Sequence, residues 1–184
     1  LLGGFIGVVL MILIYPFIFV AVKLDSGGPI IYKQIRLGRN GKEYDIIKFR
    51  TMCLDAEADG IAKPASENDE RITRVGRFLR KSHLDELPQF INIISGDMSL
   101  VGPRAERPQI VDHLQTKIPF YRARLFVKPG LTGWAQVNYG YAENAEQNSI
   151  KLEYDLYYIK HRNLTLDISI LFQTVSSVLG LRGR

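Results

Sequence analysis

Cysteine is almost absent: Cys53 stands alone, so no disulfide framework can hold the chain together. That excludes a cross-linked secreted scaffold and fits a reducing, cytoplasmic setting. With no histidine near it in sequence, Cys53 reads as a small buried apolar residue. Nucleotide fingerprints are missing as well. Neither a phosphate-binding P-loop nor a G-x-G-x-x-G turn occurs, which sets aside P-loop nucleotidases and Rossmann enzymes. The three histidines, His83, His113 and His161, are scattered and lack zinc-type spacing. Each reads as a surface or capping residue. Charge is missing from Leu1 to Val22, where only Tyr15 and Pro16 interrupt an aliphatic run. No basic segment opens that run and no small-residue cleavage site precedes Lys23, so a secretory signal is not expected. An initial methionine is missing too, which leads us to expect a trimmed or processed start.

What is present is a chain of 184 residues, 46% hydrophobic and 23% charged, with a net charge of +5. That length suits one domain with a proper core. The positive balance points to anionic partners: phosphate esters, acidic lipid headgroups or nucleic acid. The apolar start is long enough to cross a hydrocarbon layer of roughly 30 Å. Pro16 removes a backbone donor and favours a bend. Periodicity leaves two readings open, a spanning helix or a re-entrant turn.

After Lys23 the pattern becomes that of a soluble domain. Pro29 to Gln34 and Tyr44 to Phe49 are rich in Ile and Tyr and flank Gly38-Arg-Asn-Gly41, a hairpin signal. Gly60 to Asp69 has the composition of a mobile loop. Arg71, Arg74, Arg77 and Arg80 recur every third residue, with Ile72, Val75, Phe78 and Leu79 on the other side. This predicts an amphipathic helix carrying a positive stripe. It leads to Asp85-Glu86, after which Pro88 should break it. Pro103 to Pro108 reads as a loop and Gln109 to Gln115 as a short helix. Pro129 to Trp134 is a glycine-rich turn where backbone can approach a ligand. Ala145 to Lys160 is predicted helical with Ile150, Leu152, Leu156 and Ile159 inward. Asp167 to Leu181 is a second amphipathic helix, for which core packing and a bilayer interface are equally open. Tyr154, Tyr157 and Tyr158 would suit a membrane-interface belt as well as a core edge.

Adjacent carboxylates are common on solvated faces. Beside a cationic stripe they also suit phosphoryl chemistry, because a carboxylate can hold Mg²⁺ or attack phosphorus. Either role needs cations, and Arg80, Lys81 and Arg104 are candidates. Nucleic-acid binding through the stripe is disfavoured by its lack of interleaved aromatics and by the apolar start.

Six ordered motifs then stand out: Lys48-Phe-Arg-Thr-Met52, Leu84-Asp-Glu-Leu-Pro-Gln89, Gly96-Asp-Met-Ser99, Gly102-Pro-Arg104, Lys128-Pro-Gly-Leu-Thr-Gly133 and Tyr154-Asp-Leu-Tyr-Tyr-Ile-Lys160. Together they resemble the bacterial sugar transferases, the monotopic polyprenyl-phosphate phosphoglycosyl transferases. The resemblance implies transfer of sugar-1-phosphate from a nucleoside-diphosphate sugar, with UDP-hexose expected, to undecaprenyl phosphate on the cytoplasmic face of the bacterial inner membrane. It implies Asp85 as nucleophile and Mg²⁺ ligand, Glu86 as its dyad partner, and Arg80, Lys81, Gln89 and Arg104 as substrate-binding residues. It also implies a re-entrant helix over residues 1–22 with its break at Pro16. One mostly helical α/β catalytic domain with a small β-hairpin would follow over 23–184, held on membrane phospholipids by interfacial helices, 167–181 among them. Longer members carry further N-terminal membrane helices. Exposed aromatic and apolar surface is compatible with a homodimer. Ala105 departs from the second proline that many members carry after Gly-Pro-Arg, so a less rigid loop is expected there. The other readings kept open are a non-catalytic scaffold on anionic lipid and a lipid-diphosphate phosphatase.

Overall fold

The computed structural model describes residues 2–56, 69–140, 142 and 144–180. The chain is mostly helical with a small amount of sheet, as expected. Helix α1 runs Leu2–Ser26, four residues beyond the expected end at Val22, and the helix is continuous through Pro16. Its most apolar window has a mean hydropathy of 2.8, yet only 17% of that window is buried. This is far less cover than the core helix of a soluble domain receives.

Two contacts fix α1 along the domain rather than away from it. Near its start, Gly3 and Gly7 lie so close to Leu100 and Phe90 that a β-carbon would fall 2.6 and 2.2 Å from those side chains. Towards its end, Ile18 and Val22 are buried with Ile30, Phe49 and Leu79. Both ends of the apolar helix therefore rest on the same body.

Strands β1 (Ile31–Leu37) and β2 (Glu43–Phe49) form the expected antiparallel hairpin, with Ile31 opposite Phe49 and Arg36 opposite Tyr44. Asn40 and Gly41 take positive φ in the turn, as the Gly-Arg-Asn-Gly signal requires. Phe49 points to one face of the hairpin and into the cluster with Ile18 and Leu79, while Ile46 and Lys48 lie on the other face, shared with Arg36.

Helix α2 (Arg74–Lys81) is capped by Thr73, whose side chain accepts from the Gly76 amide. The helix thus starts later than the arginine spacing predicted. Arg71 lies outside it, next to the Met52–Ile72 bridge, and pairs with Asp69. Most of the loop expected over Gly60–Asp69 falls outside the described residues. Cys53 is exposed rather than buried.

After α2 comes a short 3-10 turn, Leu84–Glu86, and then α3 (Gln89–Ser95). Pro88 opens this helix rather than breaking a longer one. Strand β3 (Ser99–Val101) pairs in parallel with β4 (Gly130–Thr132), a sheet that the sequence did not suggest. The Gly102-Pro-Arg and Lys-Pro-Gly motifs interlock there. A β-carbon on Gly130 would meet the Gly102 nitrogen at 2.1 Å, and one on Gly102 would meet the Lys128 carbonyl at 2.5 Å. Only glycine allows backbones to approach so closely.

Helices α4 (Pro108–Gln115), α5 (Trp134–Asn138), α6 (Ala145–His161) and α7 (Leu164–Leu179) complete the fold. Leu152, Leu156 and Ile159 of α6 pack inward as expected, and Ile150 does not. Lys151, Leu152, Asp155 and Tyr158 are inward, while Ile150 is exposed. Tyr158 takes the core-edge alternative: its hydroxyl donates to Asp167 at 2.9 Å and shares that proton with the Val101 carbonyl at 3.3 Å. Tyr157 is exposed and stacks between Trp134 and His161. Among the described side chains of α7 only Ile170 is fully buried; Leu164, Ile168, Phe172 and Val175 are exposed. Its apolar stripe faces away from the core.

Candidate active site

The chain places its two adjacent carboxylates in a turn, not on a helix face. His83, at φ 57° and ψ 12°, adopts the left-handed conformation that few non-glycine residues take. It ends α2 and swings the chain into the 3-10 turn Leu84–Glu86, with α3 starting directly after. Leu84 and Leu87 pack with residues of α1 and with Phe49, so the turn is anchored on its apolar side. Asp85 and Glu86 are left to the polar side.

Glu86 is held by two cations from distant segments. Lys48 Nζ donates to its Oε1 at 2.6 Å, and Arg104 Nη2 to the same oxygen at 3.2 Å. Burial would push the Glu86 carboxyl up, but Lys48 and Arg104 outweigh it and hold the group far below the usual carboxylate range. Asp85 has no such clamp. It is 8% exposed, and burial raises its carboxyl to about 6, with Glu86 adding to the rise against Lys48, Arg80 and Arg104. The two carboxylates therefore differ in kind: one is a firmly ionised anchor, the other a poised group.

A cleft of about 240 Å³, counting its open mouth, is lined by Arg36, Ile46, Lys48, Glu86, Gln89, Met98, Arg104, Ala105 and Gly130. Glu86, rather than Asp85, forms its wall. Of the residues expected to bind substrate, Gln89 and Arg104 line this cleft. Arg80 acts on Asp85 through its charge. Lys81 is exposed at the end of α2. The arginine stripe as a whole is not delivered to the dyad, because Arg74 and Arg77 are exposed on α2 and Arg71 precedes it.

Two charged cleft residues, Lys48 and Arg36, are not among the expected site residues. Lys48 lies inside the Lys48-Phe-Arg-Thr-Met52 motif, and its alternation with Phe49 marks it as facing a different side. Arg36 carried no signal. Arg50, from the same motif as Lys48, is structural: it is 6% exposed and donates to the Pro29 carbonyl at 2.7 Å.

The loop bearing Arg104 is firm despite Ala105. Arg36 Nη1 donates to the Ala105 carbonyl at 3.1 Å, and Arg124 Nη2 to the Arg104 carbonyl at 3.1 Å. Arg36 and Arg124 thus brace the backbone at the position where the second proline is missing. Behind the loop, Glu106 meets Lys151 at 3.1 Å, Arg36 at 3.6 Å and Arg124 at 3.7 Å. Arg124 and Asp155 pair at 2.7 Å, each side chain only 2% exposed.

An ionised carboxylate clamped by Lys and Arg, a second carboxylate beside it, and a cation-lined cleft suit the binding of phosphate esters. A family model described as Bacterial sugar transferase matches residues 1–181. The chain belongs to the bacterial sugar transferase family. Its relatives include a UDP-N-acetylgalactosamine-undecaprenyl-phosphate N-acetylgalactosaminephosphotransferase of Aeromonas hydrophila, 48% identical over 87% of this chain and 38% of the relative. A UDP-glucose:undecaprenyl-phosphate glucose-1-phosphate transferase of Xanthomonas campestris pv. campestris is 46% identical over 89% of this chain and 34% of its own length. The exopolysaccharide production protein PSS of Rhizobium leguminosarum bv. phaseoli is 38% identical over 92% of this chain and 88% of its own. The chain thus spans little more than a third of the first two relatives. In this bacterial sugar transferase the motifs expected to carry chemistry converge, with Lys48, Glu86 and Arg104 meeting at one oxygen.

Proposed function

We propose that the protein transfers sugar-1-phosphate from a UDP-hexose to undecaprenyl phosphate, releasing UMP, at a membrane surface. Relatives named for that reaction support the reading. The observation that carries it is the asymmetry of the dyad: a clamped Glu86 beside an unclamped, buried Asp85.

In this reading the donor's diphosphate enters the cleft and competes for Lys48 and Arg104. An Asp85 carboxylate oxygen attacks the β-phosphorus. The bond from that phosphorus to the bridging oxygen breaks, and UMP leaves with the oxygen. Asp85 then carries the phosphosugar, and an oxygen of the lipid phosphate displaces it, forming the diphosphate-linked lipid and freeing the carboxylate. Glu86, as found, is a poor base because two cations hold it ionised. Once phosphate oxygens draw Lys48 and Arg104 away, its basicity rises, and it can take a proton from the acceptor phosphate.

Mg²⁺ fits the residues present. The ion keeps several waters and binds through one or two carboxylates completed by substrate phosphates. Among the described residues no three His, Cys, Asp or Glu side chains gather into a cage, and Asp85 beside a clamped Glu86 is the reduced donor set such an ion uses. Asp85 would hold it, and bound Mg²⁺ would offset the charge of the diphosphate.

The domain (residues 23–184) is proposed to lie on the cytoplasmic face of the bacterial inner membrane. Helix α1, which runs unbroken through Pro16, is proposed to embed in the bilayer without crossing it, so that both of its ends stay on the side that carries the domain. Contacts of Gly3 and Gly7 at one end and Val22 at the other with the same domain support this. A helix spanning straight across would carry Gly3 some 30 Å from the cytoplasmic surface. The outward stripe of α7 and exposed Phe78 on α2 supply further apolar surface for phospholipid.

Release of UMP from a UDP-sugar panel, followed with and without undecaprenyl phosphate, tests the reading. Release that depends on the lipid supports transfer. Release of phosphate from lipid diphosphates, without any donor, would favour the phosphatase instead, and no turnover at all would favour a lipid-bound scaffold.

A further inference from the structure

The cleft has a second wall that the phosphoryl chemistry leaves unused. Gln89 opens α3 and is only 2% exposed, yet its Nε2 has no hydrogen-bond partner. Arg36 spends Nη1 on the Ala105 carbonyl and Nη2 on Gln34 Oε1, leaving its buried Nε without one. Tyr44, opposite Arg36 in the hairpin register, packs against the cluster of Ile46, Met98 and Ala105. Its hydroxyl is likewise buried and unpartnered. Of the three, Gln89 and Arg36 line the cleft, and Tyr44 packs behind its Ile46, Met98 and Ala105 lining. Buried polar atoms are seldom left this way in folded proteins, and their grouping here points to a polar ligand in the cleft.

We propose that this inner wall, formed by Gln89 and Arg36 and backed by Tyr44, binds the hexose ring of the donor and reads its hydroxyls. The proposal rests on the reading above, in which the diphosphate lies at Lys48 and Arg104. The division of chemistry along the cleft supports it. Lys48 and Arg104 surround Glu86, where charge is needed. The amide of Gln89 and the phenol of Tyr44 each donate and accept, as a sugar hydroxyl does, whereas phosphate oxygens only accept. Burial pushes the Tyr44 phenol well above its ordinary range, so it stays neutral. Ile46, Met98 and Ala105 supply an apolar floor for the C–H face of a ring.

The test uses the membrane-embedded protein and the variants Tyr44→Phe and Gln89→Met, each close to the original in shape. Thermal unfolding checks that they fold. Initial rates are measured with UDP-glucose, UDP-galactose, UDP-N-acetylglucosamine and UDP-N-acetylgalactosamine, and UDP itself is titrated by calorimetry. The expected result is a loss of roughly tenfold or more in kcat/KM for the preferred donor. Preference among the four donors should shift, and affinity for UDP should stay within about twofold. An equal loss of UDP affinity would assign the wall to the nucleotide and overturn the proposal. Unchanged rates and preferences in both variants would assign the three atoms to internal water and also overturn it. If the wild type turns over no donor, the transferase reading fails separately. Titration of the wild type with glucose 1-phosphate and inorganic phosphate then decides the wall: tighter binding of the sugar phosphate supports it, and equal binding overturns it.

Discussion

Two ionic clusters lie back to back in this protein, and they behave in opposite ways. Behind the Arg104 loop, Glu106, Arg36, Lys151, Arg124 and Asp155 form a network in which the carboxylates find close cationic partners. In front of it, Lys48 and Arg104 satisfy Glu86 and leave Asp85 short of compensation. The first cluster holds backbone: Arg124 and Arg36 grip the carbonyls of Arg104 and Ala105. The second holds reactivity. Incomplete compensation costs stability, and it marks the place where a ligand's charge completes the balance.

The difference can be broken from either side, and the largest effect falls on activity. Asp85→Asn should remove transfer by about 10⁴-fold or more, as loss of a covalent nucleophile does. Its unfolding temperature should be equal to the wild type's or higher, because a poorly compensated buried carboxylate has gone. A large fall in unfolding temperature would place Asp85 with the structural cluster instead.

Next comes the opposite perturbation. Arg124→Ala strands a buried Asp155 carboxylate, and loss of one partner of such a pair costs about 3–5 kcal/mol. Denaturant unfolding should show that cost directly. Removing a front cation is milder for the fold: Lys48→Ala should lower kcat by about 10²–10³, with stability little changed.

The acid response separates the clusters more finely. Burial would raise the Glu106 carboxyl, but Lys151, Arg124 and Arg36 hold it at about 2 against an ordinary 4.5. A depressed carboxyl contributes its stability above the unfolded value and loses it as pH falls through the folded one. The stability gap between wild type and Glu106→Gln should therefore be full above about pH 4.5 and close towards pH 2. A gap independent of pH would mean that Glu106 acts by shape alone.

The smallest expected change is at the surface. Phe172→Asp on α7, where Phe172 is 74% exposed, should weaken vesicle binding several-fold without altering the folded domain. Flotation with anionic vesicles reads it.

Much of this architecture was legible along the chain. Alternating Ile and Tyr around Gly-Arg-Asn-Gly marked the hairpin, and 3.6-residue periodicity marked α6 and α7. The dyad was legible because two acids stood next to each other inside a motif. What was hidden depended on contacts distant in sequence. Lys48 and Glu86 are 38 residues apart, and nothing local tells that they meet. Strands β3 and β4 have three residues each, too few to show a period. On α6, Leu152, Leu156 and Ile159 pack inward as apolar spacing predicts, but the buried side also takes in Lys151 and Asp155 and leaves Ile150 out, which no apolar pattern shows. The arginine stripe failed for a related reason: spacing by threes suits a helix, but Thr73 caps it and leaves Arg71 outside.

One measurement bears on the central claim most directly: the intact mass of the protein after incubation with Mg²⁺ and a UDP-sugar, with no lipid acceptor present. The account predicts an added sugar-phosphate on the wild type, absent in Asp85→Asn and discharged when undecaprenyl phosphate is added. A protein that turns over donor and lipid together yet never carries the adduct would contradict it, because transfer would then be direct and Asp85 no nucleophile.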